Sequence, residues 1–150
     1  MAHSFSNLLY HIIFGTKHRV PCIDPELMPR LHAYLGGIVH ELDGKPLIIN
    51  GTTDHVHLLV GLSTRSSIAD ALRVLKTNSS RWVHETWPAR SAFGWQAGYA
   101  AFSVSHSQRS AVWKYIQNQA EHHRKLTFAE EYQQFLRKHG IEYDERYLWE

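Results

Sequence analysis

The segments of this 150-residue chain follow the order β-α-β-β-α-β with helical sequence after them, which predicts an α+β fold. Three observations carry that prediction. An apolar run at 8–14 has the make-up of a buried strand. Two further strand-like runs flank the tight connection Gly51-Thr52-Thr53-Asp54. Helix-start signals precede each of the intervening apolar stripes.

The elements follow in order. Residues 5–16 read as the first strand, with Leu8, Leu9, Tyr10, Ile12, Ile13 and Phe14 at its centre. Asp24-Pro25-Glu26 is a helix start, with Asp24 as N-cap and Pro25 at the first helical position. Leu27, Leu31, Leu35, Ile38 and Leu42 then recur at helical spacing until Gly44. Residues 45–50 and 55–61 form the second and third strands, a hairpin across 51–54. Ser67 and Asp70 have capping-box spacing and open a second helix on which Ile68, Leu72, Leu75, Ser79 and Trp82 share a face. Pro88 closes that region, and 98–104 reads as the fourth strand. Ser105 and Gln108 open a third helix at about 106–123. Thr127 and Glu130 open a fourth that stops at Gly140, and the C-terminal helix and tail take about 127–150. This is the ferredoxin-like arrangement, an antiparallel sheet with two helices on one face, here with added C-terminal helices.

Composition narrows the class. The length suits one domain, 1–150, with a real core, and 43% hydrophobic residues exclude disorder. A net charge of +2 leans weakly toward anionic partners. Cys22 is the single cysteine, so no internal disulfide forms and a cytoplasmic setting is expected. No apolar run approaches the ~18 residues of a membrane span. There are twelve histidines, so only spacing can single any out.

Spacing singles out Asp54-His55-Val56-His57-Leu58-Leu59-Val60. On a strand, residues two apart face the same side, so His55 and His57 aim two imidazoles at one spot, half of a metal site. The third predicted helix carries Tyr115 and Gln119, four apart and so on one face. Gln119 offers a hard carbonyl oxygen that suits Mg2+ or Mn2+. The histidine pair alone would also suit zinc, and His122 is a rival third ligand. A phenol of pKa ~10 is a weak nucleophile at neutral pH. Beside a cation that polarises a phosphodiester, Tyr115 could attack phosphorus and conserve the bond as a phosphotyrosine, allowing rejoining without ATP. The plain alternatives are core or surface histidines and a packing tyrosine, since Val112, Ile116 and Ala120 give that helix an apolar face.

Nearly the whole chain resembles the single-tyrosine HUH transposases of the smallest bacterial insertion sequences. The resemblance is carried by Tyr10-His11-Ile12-Ile13-Phe14, by 54–60 with the His-hydrophobic-His motif, and by Leu75-Lys76 with Ser79-Ser80-Arg81. It continues in Trp95-Gln96, Gly98-Tyr99, the Tyr115-x-x-x-Gln119 motif, His122-His123-Arg124 and 143–147. The resemblance implies that His55, His57 and Gln119 hold Mg2+ or Mn2+ and that Tyr115 is the nucleophile, bonding the 5′ phosphate at the cut. It implies single-stranded DNA with a subterminal hairpin as substrate. It also implies a homodimer, in some members with the tyrosine helix of one subunit completing the histidine site of the other. The setting implied is the bacterial cytoplasm, at the nucleoid when DNA is bound.

Lys17, Arg19, Arg73, Lys76 and Arg81 are expected DNA-backbone contacts, with Tyr99 or Trp95 available for stacking. A solvated charged face is the alternative. The cluster 122–125 would steer DNA or complement a helix dipole. Rival functions are a non-catalytic RNA-binding module of the same strand order, a nicking enzyme that never rejoins strands, and a domesticated REP-associated nuclease.

Overall fold

The computed structural model describes residues 3–149; Met1, Ala2 and Glu150, included in the domain read from sequence, lie outside the described residues. Alternation along the strands sets the layering. In β1 (Leu9–Gly15) Ile12 and Phe14 face one side of the sheet, and in β3 (His55–Gly61) Val56, Leu58 and Val60 face that same side. Against them pack α1 (Leu27–Glu41), through Leu27, Leu31, Leu35 and Ile38, and α2 (Ile68–Thr86), through Ala71, Leu72, Leu75 and Val83. These side chains are essentially dry, and each buried aliphatic contributes roughly 1.5–3 kcal/mol.

The opposite face carries His11, Ile13, His55, His57 and Phe102 and is roofed by the chain's C-terminal third. The sheet order is β2-β3-β1-β4, every neighbouring pair antiparallel, with β2 at Lys45–Gly51 and β4 at Ala100–Val104. Within it Ile13 pairs with His57 and Gly15 with His55. The roof consists of α3 (Arg109–Gln117), the single turn α4 (Gln119–His122) and α5 (Phe128–Lys138). The expected ferredoxin-like α+β architecture is therefore present, with both sheet faces covered.

Several boundaries differ from the sequence reading, each for a local reason. β1 begins at Leu9, opposite Gly61 and Val104, the last residues of its antiparallel partners, and Phe5 is 95% exposed. β4 begins at Ala100, because the carbonyls of Gln96, Ala97 and Gly98 accept hydrogen bonds from the Lys76 ammonium. The expected helix at 106–123 is divided into a 3-10 turn (His106–Gln108), α3 and α4, interrupted at Asn118. There Asn50 Nδ2, on edge strand β2, donates to the carbonyls of Ile116 and Gln117 at 3.0 and 3.1 Å. Ser105 makes no capping bond to Gln108, whereas the Ser67 cap and the complete Thr127–Glu130 capping box are both formed. Asp24 Oδ1 accepts from the amides of Glu26 and Leu27, so it caps the entry to α1 as its sequence position suggests.

Gly51 permits the sharp β2–β3 connection: a Cβ there would lie 2.1 Å from the His55 carbonyl oxygen. That closeness fixes where the histidine strand starts.

Candidate active site

His55 and His57 have no exposed surface, as their place on the roofed face of β3 requires. In each ring Nδ1 is held by a side chain of the sheet or its turn. His55 Nδ1 donates to Asp54 Oδ1 at 2.7 Å. A 2.7 Å hydrogen bond joins His57 Nδ1 to His11 Nε2. Both Nε2 atoms are thereby turned to one point beneath α4 and α5, the arrangement by which outer partners orient metal-binding imidazoles. The Phe128 ring lies flat on His55, centroids 4.1 Å apart and 4° from parallel, and walls that side.

Tyr115 and Gln119 reach the same point despite the break at Asn118. Gln119 is fully buried and its Oε1 lies 3.0 Å from His55 Nε2. The Tyr115 ring centroid is 6.0 Å from that of His57, and its hydroxyl donates to Glu131 Oε2. The four residues expected from sequence are thus brought together within one chain. His122, the rival third ligand, stacks on the Tyr115 ring at 4.3 Å instead.

Sequence spacing does not point to Glu131, and it gives His123 only as part of the basic cluster 122–125. Glu131, on α5, is fully buried, and its Oε1 lies 2.9 Å from His57 Nε2, 3.3 Å from His55 Nε2 and 3.1 Å from His123 Nε2. Gln119 Nε2 donates to its Oε2 at 3.1 Å. One signal could have found it: Phe128, Glu131, Tyr132, Phe135 and Leu136 form the apolar stripe of α5, and an acid within such a stripe needs a buried partner. His11 was legible in the same way, two positions before Ile13 on the face that β3 gives to its histidines.

The charges follow from the partners. Burial alone would lower the His55 pKa, but hydrogen bonds to Asp54 and Glu131 outweigh it and raise it to about 9. Burial wins at His57, which falls to about 4 and is neutral. Glu131 is held ionised despite its burial, by hydrogen bonds from His123, His55 and His57. Burial and the adjacent Glu131 carboxylate raise the Tyr115 pKa, so the phenol keeps its proton in this arrangement.

The donor set fits a divalent cation. His55, His57 and Glu131 each place a ligand atom within 4.8 Å of the others, with the Gln119 amide oxygen alongside. Two imidazoles with oxygen donors form a partial coordination shell that leaves positions open. Two clefts flank the group. One, of about 300 Å³, is lined by His11, Val112, Tyr115, Phe135 and Lys138. The other, of about 480 Å³, lies beside Asp54 and His123 and is edged by Arg124 and Lys125.

The basic residues are dispersed. Lys17 and Arg19 are exposed on the 3-10 turn Lys17–Arg19 after β1, where His18 and Arg19 have φ of 58° and 56°, and the Arg19 guanidinium sits 4.4 Å over Trp149. Arg73 and Arg81 are exposed on α2, on the other side of the sheet from the histidines, near Asp70 and Asn78. Lys76 is spent on the three carbonyls before β4, and Trp95 is held by Ser79 Oγ and packed edge-on to Phe14. Tyr99 is 37% exposed. Among the described residues, no helix is long and apolar enough to cross a membrane.

Comparison with known proteins gives the family and the fold. The family model described as "Transposase IS200 like" matches residues 4–119. The ISDra2 transposase TnpA of Deinococcus radiodurans is 28% identical over 117 residues, covering 75% of this chain and 84% of its own length. The transposase for insertion sequence element IS200 of Salmonella typhimurium is 25% identical over 126 residues, covering 81% and 82%. A crystal structure of a Deinococcus radiodurans protein assigned as a transposase superposes with a TM-score of 0.65 and 27% identity, covering 79% of this chain and 95% of that one. A REP-associated tyrosine transposase bound to a REP hairpin has a TM-score of 0.60 over 82% of this chain and 72% of its own; at 10% identity the likeness is one of fold. Matched over most of its length, the chain belongs to the IS200-like transposase family.

Proposed function

We propose that the protein cuts and rejoins single-stranded DNA at hairpin-bearing element ends, with Tyr115 as the nucleophile and a divalent cation held by His55, His57 and Gln119. The observation that carries this reading is the convergence of a phenol, two imidazoles with aligned Nε2 atoms and an amide oxygen on one buried point of a transposase-family chain. A cation there, Mg2+ or Mn2+, would polarise the scissile phosphate and offset the charge that builds on its oxygens.

The chain's own groups supply the rest. Asp54 and His11 orient the imidazoles, and α3 delivers Tyr115. Attack of the Tyr115 oxygen on phosphorus forms a tyrosine–5′-phosphate bond and breaks the bond to the 3′ oxygen, which ends with the phenol proton as a free hydroxyl. The reverse attack by another 3′ hydroxyl restores a phosphodiester and frees Tyr115, so strand transfer needs no external energy.

The two flanking clefts suit the passage of a single strand past Tyr115, with Arg124 and Lys125 along one rim. Lys17, Arg19, Arg73 and Arg81 are proposed backbone contacts; Lys76 is proposed to act by holding the loop that leads into β4. A homodimer would serve to bring two DNA ends together, with Tyr115 meeting His57 within each chain. Action on chromosomal DNA would place the protein in the bacterial cytoplasm, at the nucleoid when bound.

The test is cleavage of labelled single-stranded hairpin DNA with Mg2+ or Mn2+. The expected result is a denaturant-resistant protein–DNA adduct, absent without the cation and absent in Tyr115→Phe. An adduct that persists in Tyr115→Phe, or binding of hairpin RNA with no cutting of DNA, would overturn the proposal.

A further inference from the structure

We propose that Glu131 is a ligand of the site's divalent cation and that its second carboxylate oxygen holds the Tyr115 hydroxyl beside that ion. This deepens the metal-dependent reading above and rests on it. The residue lies on α5, beyond the 4–119 segment matched by the family model.

Burying a carboxylate costs several kcal/mol unless its oxygens are fully engaged. Glu131 is completely buried, and its two oxygens do different work. Oε1 faces the two nitrogens left free by the Asp54 and His11 hydrogen bonds, at 3.3 Å from His55 Nε2 and 2.9 Å from His57 Nε2. Gln119 Oε1 lies 3.0 Å from His55 Nε2. Donors about 2.1 Å from a six-coordinate ion are about 3 Å apart along an octahedral edge. The three spacings of 3.3, 2.9 and 3.0 Å match those of cis ligands around one small hard cation. A carboxylate among them also favours Mg2+ or Mn2+ over a site of imidazoles alone.

Oε2 is turned the other way, accepting from the Tyr115 hydroxyl and from Gln119 Nε2. One rigid carboxylate therefore spans cation and nucleophile. It holds the phenol oxygen on the carboxylate whose other oxygen faces the two imidazoles. The anchoring is firm: the Thr127–Glu130 capping box starts α5, Phe128 packs on His55, and Tyr132 and Leu136 seat the helix on the sheet.

The experiment is Mn2+ binding by titration calorimetry on metal-free wild type, His57→Ala, Glu131→Gln, Glu131→Ala and Tyr115→Phe, with each fold checked by thermal melting. Wild type and Tyr115→Phe should bind one Mn2+ alike, and His57→Ala should lose binding. Both Glu131 variants should bind at least about tenfold more weakly. At saturating Mn2+, Glu131→Ala should form the DNA adduct at least about tenfold more slowly than wild type. Folded Glu131 variants that bind Mn2+ like wild type, while His57→Ala does not, would overturn this proposal alone. Adduct formation at the wild-type rate would overturn its positioning half, and a wild type that takes up no Mn2+ would overturn the metal-dependent reading as well. Should the Glu131 variants fail to fold, an anomalous map of Mn2+-soaked wild-type crystals decides. Glu131 Oε1 among the ligands supports the proposal; an ion on His55, His57 and Gln119 with Glu131 turned away overturns it.

Discussion

Replacing Phe128 by alanine should destabilise the protein more than almost any other single truncation outside the α1–α2 core. The ring is 2% exposed, lies 4.1 Å from the His55 ring, and meets Tyr132 and Trp149 edge-on at 5.6 and 5.4 Å. Packing beneath it is close: a Cβ built on Gly15 would come within 2.5 Å of its Cε2. Little room exists for neighbours to collapse into the space, so the full cost of a Phe→Ala cavity applies, about 3–5 kcal/mol. With a urea m-value of about 2 kcal/mol/M, the unfolding midpoint should fall by about 1.5–2.5 M with the slope unchanged. Phe5→Ala is the control, because that ring is 95% exposed and its loss should stay within about 0.5 kcal/mol. A Phe128→Ala midpoint within about 0.5 M of wild type would refute the packing of α5 over the histidines, and with it the placement of Glu131.

Lys17→Ala and Arg19→Ala should each weaken hairpin binding about equally for all sequences and reduce the slope of log K against log salt by about one, read by fluorescence anisotropy over a salt series. Burial lowers His32 to about 4, and its Nε2 has no partner, so the folded state resists a proton that the unfolded chain takes up below about 6.5. Stability from this group is intact above pH ~6.5 and lost as pH falls toward 4, so His32→Leu should flatten the acid limb of a melting series; an unchanged limb contradicts its burial as a neutral ring. Mixing His57→Ala with Tyr115→Phe should give no cleavage, because Tyr115 meets His57 within one chain; restored cleavage would mean that the tyrosine helix crosses between subunits.

Much of this site was legible because strand periodicity is strict. Once 55–61 is a strand, His55 and His57 must share a face, and the tight turn at Gly51 fixes where that strand starts. Tyr115 and Gln119 were placed on one unbroken helix, and they converge although the helix breaks, because Asn50 holds the break at a fixed place. Pairing across the break depends on the edge strand β2, which local spacing does not encode. Glu131 is masked by its neighbour: the Thr127–Glu130 capping box accounts for acids at that helix start, although Glu131 alone of them lies in the apolar stripe. The basic residues were the least legible. Charge alone does not distinguish Arg73, exposed on α2, from Lys76 three residues later, which is consumed by three backbone carbonyls.

Mapping the covalent DNA adduct by tandem mass spectrometry tests the central claim most directly. After cleavage of hairpin DNA with Mn2+, trypsin should release the 115–124 peptide carrying a nucleotide phosphate on Tyr115, and no other peptide should be modified. A phosphate on any other residue, or cleaved DNA with Tyr115 unmodified throughout the time course, would contradict the account.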